Sequence, residues 1–316
     1  MAVVSATQTK TARRTGRQAR REATWFYLLI TPWALGFIIF LAGPIIASSY
    51  LSFTHNDPVN WPPKWVGLAN YQLLVKDALF WKSLQVTTLY VVLSVPLSII
   101  TATAVALLLN QKIPLVSMWR TIYYLPAVTA GVAVALLWQW IFNANFGLIN
   151  ATIYSIFHVT GPKWLTDEHW TMPAFIIISL WQFGGPMLIY LAAIQNVPTS
   201  LYEAAELDGA SGIRKMWHVT IPLITPVIFF NLILNIIASF QTFTYAYIIT
   251  QGGPHYATFF YVYNIYNNAF TYISNMGYAD ALSWVLFVIM LVFTLLAFKS
   301  AQWWVFYETP GDSPAK

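Results

Sequence analysis

The 316-residue sequence contains no cysteine. Disulfides, thiolate metal sites and a cysteine nucleophile are therefore excluded. Charge is almost as scarce, since Asp, Glu, Lys and Arg make up 9% of the residues where an ordinary soluble domain carries about 25%. A chain this poor in charge cannot cover a soluble surface. With 58% of its residues hydrophobic, it is not a disordered chain either, because disorder needs low hydrophobicity and high net charge. No Gly-Lys dipeptide occurs, so the phosphate-cradling GxxxxGK[ST] loop is missing and this chain has no Walker-type nucleotide site to expect. The five histidines, His55, His158, His169, His218 and His255, are scattered and show no HExxH spacing, which leaves no metal centre to expect.

What the sequence does have is apolar length. Uncharged runs cover 23–56, 83–111, 121–162, 169–202, 216–279 and 281–298, each long enough for a span of about 20 residues. The second half of the 216–279 run follows the breaker Gly252-Gly253-Pro254 and mixes His255, Asn264, Asn267 and Asn268 with aromatics. It reads as an interfacial segment rather than a span. Trp138 and Trp140 likewise read as interface anchors. Six helices are expected, at 25–50, 83–109, 121–142, 171–195, 219–250 and 281–303, because lipid offers no partner for unpaired backbone groups.

Lys10, Arg13, Arg14, Arg17, Arg20 and Arg21 precede the first span, and the positive-inside rule places that end in the cytoplasm. With six spans, Lys112, Arg120, Arg214, Lys215, Lys299 and Lys316 fall on the same side, leaving only Lys64, Lys76, Lys82 and Lys163 outside. Both termini are thus expected in the cytoplasm. The expected organisation is a basic tail (1–24), a six-helix membrane domain (25–305) and a short C-terminal tail (306–316).

The densest charge outside the N-terminus lies between spans four and five, at 198–218. Ser200 followed by Glu203 has the spacing of a capping box, Leu201 to Asp208 are helix formers, and Gly209 suits the left-handed position that ends a helix. Ser211 can cap a second short helix before Pro222 opens span five. The result is a compact cytoplasmic knob suited to a socket on a partner.

Here the sequence resembles a known family. Glu203-Ala204-Ala205, three residues, Gly209, nine residues, then Val219-Thr220-Ile221-Pro222 is similar to the EAA loop of ABC importer permeases. Leu207-Asp208-Gly209-Ala210 is the form common in the carbohydrate branch. Val66-Gly67-Leu68-Ala69-Asn70-Tyr71, Phe146-Gly147-Leu148-Ile149-Asn150 and Gly252-Gly253-Pro254 extend the likeness to MalF- and UgpA-type permeases over about 25–305. The resemblance implies an all-α, six-span permease of the MalF/MetI-like type I importer fold in a bacterial or archaeal cell membrane. It also implies that Glu203, Ala204, Ala205, Asp208 and Gly209 dock a separate ATPase subunit. The implied partners are a second, MalG- or UgpE-like permease, two ATPase subunits that bind ATP and Mg, and an extracytoplasmic solute-binding protein. This chain would hold no cofactor, do no covalent chemistry and meet lipid and a sugar but no nucleic acid.

No Asp, Glu, Lys or Arg lies mid-span, which argues against an ion-coupled carrier. Span five instead carries Asn231, Asn235, Ser239 and Thr242 at helical spacing. Such a stripe faces protein or water, as a seam between helices or as a substrate path. The resemblance aligns Asn235, Ser239 and Thr242 with sugar-contacting positions. Span four adds Ser179, Trp181 and Gln182 just before Phe183-Gly184-Gly185-Pro186, where a broken helix is expected. A membrane-bound transferase, which would need a carboxylate or histidine cluster at one face, and a secondary transporter are the alternative readings.

Overall fold

The computed structural model describes residues 16–57, 62–272 and 276–307. The chain divides into two compact units, one through Leu51 and one from Ser52 onward.

The first unit is a helix. α1 (Gly16–Phe37) passes through a π turn, Ile38–Ala42, into α2 (Gly43–Leu51). Pro44 stands just past the π turn. A proline cannot donate to the carbonyl four residues back, and the wider turn before it absorbs the mismatch without breaking the rod. The apolar stretch Arg20–Leu51 is long enough to cross a membrane.

In the second unit, a two-residue ribbon, β1 (Thr54–His55) with β2 (Lys64–Trp65), is the only sheet among the described residues. α3 (Ala69–Lys76) leads to α4 (Ala78–Leu109), which Asp77 caps by accepting from the Leu79 N–H at 2.8 Å. α5 (Val116–Val128) and α6 (Gly131–Ile141) follow, then α7 (Leu148–Phe157), α8 (Glu168–Trp181) and α9 (Gly184–Gln195). α10 (Thr199–Leu207) is the surface knob, and α11 (Gly212–Lys215) runs through a π turn, Met216–Thr220, into α12 (Ile221–Phe240). A further π turn (Ala246–Thr250), α13 (Tyr261–Tyr266) with its own π turn (Asn267–Thr271), and α14 (Met276–Trp304) complete the unit.

By length and composition, Arg20–Leu51, Ala78–Leu109, Gly212–Phe240 and Met276–Trp304 can each span a membrane, and the total is six when each of two bent pairs counts as one span. The expected all-α, six-span architecture is what the chain adopts, with several corrections. Span three is not a straight 121–142 rod, because α5 and α6 meet at 101°. Thr129 and Ala130 between them are extended, and Pro126 has already weakened the end of α5 by removing a donor. Span four breaks at Gln182-Phe183 with a 45° bend, as the Gly-Gly-Pro sequence suggests. Span five ends at Phe240, ten residues short of the expected 250, and begins at Gly212. Ser211 therefore caps the span itself, and Pro222 sits inside a continuous helix behind its π turn.

The segment after Gly252-Gly253-Pro254 is not a surface layer. Tyr261 is fully buried and Asn264 nearly so, and α13 packs against α4 and α14. The Thr87 hydroxyl of α4 accepts from the Tyr261 N–H at 2.8 Å, and Asn264 Nδ2 donates to Ser83 Oγ at 3.2 Å. Buried hydroxyls on an apolar span would be costly without partners, and here they serve the incoming segment. Trp138 is also core rather than an interface anchor, packed against Phe142 and Trp181, while Trp140 is exposed.

Candidate functional site: a polar cavity and a surface knob

Span two, the break in span four and the C-terminal end of α12 converge on a cavity of about 360 Å³. The break is what makes this possible. Gly184 starts α9 where an added Cβ would stand 2.3 Å from the Tyr123 carbonyl oxygen, so only glycine lets α9 close on α5. Residues 179–186 then turn toward α12, and the helix end at Phe240 frees Gln241 to Tyr245 to fold over the cavity.

Ser179, Gln182, Asn235, Ser239 and Thr242 all line this space. Trp181 does not, because it points the other way and packs edge-on against Trp138 with centroids 5.7 Å apart. Asn231 is buried and does not line the cavity; its Nδ2 donates to the Val227 carbonyl of the same helix at 3.0 Å. Asn235 donates to the Asn231 carbonyl at 3.1 Å, which leaves its amide oxygen uncommitted on the helix. Gln182 Nε2 donates to the Tyr245 hydroxyl and so joins the two interruptions, in span four and after span five.

Residues that pattern reading missed come from α4. Tyr90, Ser94 and Ser98 face the cavity at spacings of four, one face of a helix. The Tyr90 hydroxyl lies beside those of Ser179 and Thr242. Ser94 is 2% exposed, and its hydroxyl lies beside that of Tyr90 on the cavity wall. The signal was present as a period-four polar row in an apolar span, a weaker copy of the stripe on span five. Among the described residues no group of His, Asp or Glu comes together that could hold a metal ion. The polar lining consists of hydroxyls and amides, which donate and accept without charge, beside the rings of Tyr90, Phe183, Phe243 and Tyr245.

The second site is the knob. α10 is capped by Pro198 rather than by a Ser200–Glu203 box: no side chain caps it, and Ser200 is already inside the helix. Its other end follows expectation. Gly209 has φ +74°, the Ala210 N–H donates to the Ala205 carbonyl at 2.9 Å and the Gly209 N–H to the Glu206 carbonyl at 3.0 Å, the paired bonds of a glycine-terminated helix. Lys215 Nζ contacts Glu206 Oε1 at 2.6 Å and the Tyr202 hydroxyl lies 3.0 Å from Thr220 Oγ1, so α10 is tied to the base of span five. Glu203, Ala204, Asp208 and Gly209 are exposed and Ala205 half-buried. Leu207 is 90% exposed, with Ile213 and Trp217 also uncovered, an apolar surface that solvent alone does not favour.

Comparison with known proteins agrees with these features. Residues 94–304 match the family described as binding-protein-dependent transport system inner membrane component. The probable ABC transporter permease protein YesP of Bacillus subtilis (strain 168) is 40% identical over 305 residues, covering 95% of this chain and 98% of that one. The lactose transport system permease protein LacF of Rhizobium radiobacter is 33% identical, covering 87% and 93%. A crystal structure of a bacterial ABC transporter involved in the import of the acidic polysaccharide alginate contains a chain that superposes with TM-score 0.79 at 25% identity, over 90% of this chain and 97% of that one. With a family match across most of the chain and relatives alike over nearly their whole length, this protein belongs to the inner membrane permeases of binding-protein-dependent ABC transport systems.

Proposed function

We propose that this permease imports a sugar, oligosaccharide or related polyol, handed over by an extracytoplasmic binding protein and driven by ATP hydrolysis in two separate subunits. The observation that carries the cargo class is the cavity at the break of span four, whose lining combines uncharged hydroxyl and amide groups with aromatic rings. Hydroxyls and amides match the many donors and acceptors of a polyol, and ring faces match its C–H surfaces. Lactose and starch-product permeases among the relatives support the same class, and a glycerol phosphate permease marks its breadth.

In this reading a second permease of the same family completes the path as a heterodimer, and the cavity wall contributed here is Tyr90, Ser94, Ser179, Gln182, Asn235, Ser239 and Thr242. Both termini and the α10 knob face the cytoplasm. Glu203, Ala204, Ala205, Asp208 and Gly209 seat in a cleft of the ATPase, with Glu203 paired to a basic group and the two alanines permitting close approach. α10 is tied to the base of a 29-residue helix, Gly212–Phe240, whose far end bears Asn235 and Ser239. Motion of the knob is therefore delivered along a rigid rod to the cavity wall.

The test is uptake by membrane vesicles carrying the assembled importer. Asn235→Leu removes the amide and fills its space; it is expected to abolish uptake while basal ATP hydrolysis persists. Undiminished uptake would take Asn235 out of the path and leave the cargo assignment without its main support.

A further inference from the structure

A second recess, of about 650 Å³, lies apart from the central cavity. Its walls come from the end of α6, the loop after it, the loop before α8 and the Gly253-Pro254 turn. The α6–α7 and α9–α12 connections are one span apart, so in a six-span chain the recess and the α10 knob lie on opposite faces of the membrane. Helix α6 joins the two cavities: Gly131 lines the inner one and Gln139 the outer, about 12 Å apart along a helix of 1.5 Å rise.

Hydrogen bonds brace the recess. Buried Asn150 donates from Nδ2 to the carbonyls of Ala144 (3.0 Å) and Pro162 (3.1 Å), and its Oδ1 accepts from Trp164 Nε1 at 2.8 Å. One side chain thereby ties together the two loops that form opposite walls. A Cβ on Gly161 would stand 2.1 Å from Asn150 Oδ1, so the closeness of these loops depends on that glycine. On the third wall, Thr258 Oγ1 donates to the Gly253 carbonyl at 2.7 Å and lies 2.6 Å from Thr250 Oγ1.

The lining combines Gln139, Asn143, Asn145 and Thr166 with apolar Phe142 and Leu165, and Lys163 is its one charged group. Asn143 Oδ1 accepts from the Asn145 N–H at 2.9 Å, which leaves its Nδ2 as a donor to the recess. The nearby carboxylate of Asp167 accepts from the His169 N–H and lies against its imidazole, and it also feels the charge of Lys163, which an incoming carboxylate would share with it. We propose that this recess is an outer carbohydrate subsite that takes an acidic sugar unit of an oligosaccharide, its carboxylate facing Lys163 and its hydroxyls facing the amides. Resting on the sugar-import reading, the inference adds a length and a charge to the cargo: a chain that reaches from the outer recess toward the inner cavity, with an anionic unit outermost.

The experiment measures calorimetric binding of trigalacturonate and of maltotriose to the importer purified through a tag on this chain. Lys163→Gln, an exposed substitution, is expected to weaken trigalacturonate binding roughly tenfold, as for the loss of a charge-assisted hydrogen bond, and to leave maltotriose nearly unchanged. Ala144→Trp, which fills the recess, is expected to weaken trigalacturonate at least as much. No binding of trigalacturonate to the unaltered importer, or binding indifferent to both substitutions, overturns the subsite. So does Lys163→Gln weakening capture of the binding protein while saccharide affinity holds. If Asn235→Leu abolishes saccharide binding and the outer variants do not affect it, only the outer subsite falls; if Asn235→Leu is also without effect on either trisaccharide, the sugar-import reading falls with it.

Discussion

The Tyr278 hydroxyl donates to Asp77 Oδ2 at 2.7 Å, joining residues 201 positions apart. The same carboxylate caps α4 through Oδ1, which accepts from the Leu79 N–H. One side chain therefore starts span two and clamps it to the start of span six. Tyr278→Phe is expected to cost about 1 kcal/mol, one hydrogen bond. Asp77→Ala is expected to cost more, because it removes a cap worth about 1 kcal/mol and strands the Tyr278 hydroxyl. Thermal unfolding of the two single variants and the double variant in detergent measures the coupling; additive losses would show that the contact contributes nothing.

Gly184 and Gly185 are neighbours with opposite tolerance. A Cβ on Gly184 meets the backbone of Tyr123 and Tyr124, whereas one on Gly185 meets nothing within 4 Å. Gly184→Ala is expected to destabilise by about 1–3 kcal/mol through overpacking and to displace the wall of the central cavity. Gly185→Ala is expected to be neutral or slightly stabilising. Melting temperature and uptake of the paired variants check this, and equal behaviour would contradict it.

Ser94 separates stability from transport. Its buried hydroxyl lies beside that of Tyr90, so Ser94→Ala is expected to change stability by no more than about 1 kcal/mol. On the proposed cargo path, the same change is expected to raise the KM for uptake several-fold, because it removes a hydroxyl from the cavity wall. A variant with an unchanged KM would mean that Ser94 plays no part in the path.

Glu203 is exposed on α10. Glu203→Lys is therefore expected to alter the stability of the chain by less than about 0.5 kcal/mol while reversing the charge offered to the ATPase. Co-purification of the ATPase subunits and uptake should both fall, with membrane insertion intact. Normal recovery of the ATPase would rule out docking through this residue.

Pattern reading worked where the deciding physics is local. Gly209 ends α10 because a left-handed residue is required there, and neighbouring backbone groups satisfy the freed carbonyls. Ser200 misled because two N-terminal signals overlap: Pro198 fixes the backbone that enters the helix, and Ser200 then falls two residues past the N-cap. Trp181 and Gln182 are adjacent, yet one packs on Trp138 and the other faces the cavity, since successive residues at a helix end diverge by about 100°. No reading of span four by itself could choose between them.

By itself the sequence determined the membrane class, the six spans and the family-bearing knob. Apolar length, the need to satisfy backbone groups without water, and helix-end chemistry all operate within one stretch of chain. Tertiary structure alone decided which polar groups share a space. Tyr90 and Ser94 meet Ser179, Asn235 and Thr242 only because α4 packs against α8, α9 and α12. The 101° turn of span three, where Pro126 weakens the end of α5, and the early end of span five were likewise not legible from apolar length. An apolar run can pass its hydrogen bonds along a straight helix or hand them to a neighbour, and only the neighbours settle which is lower in free energy.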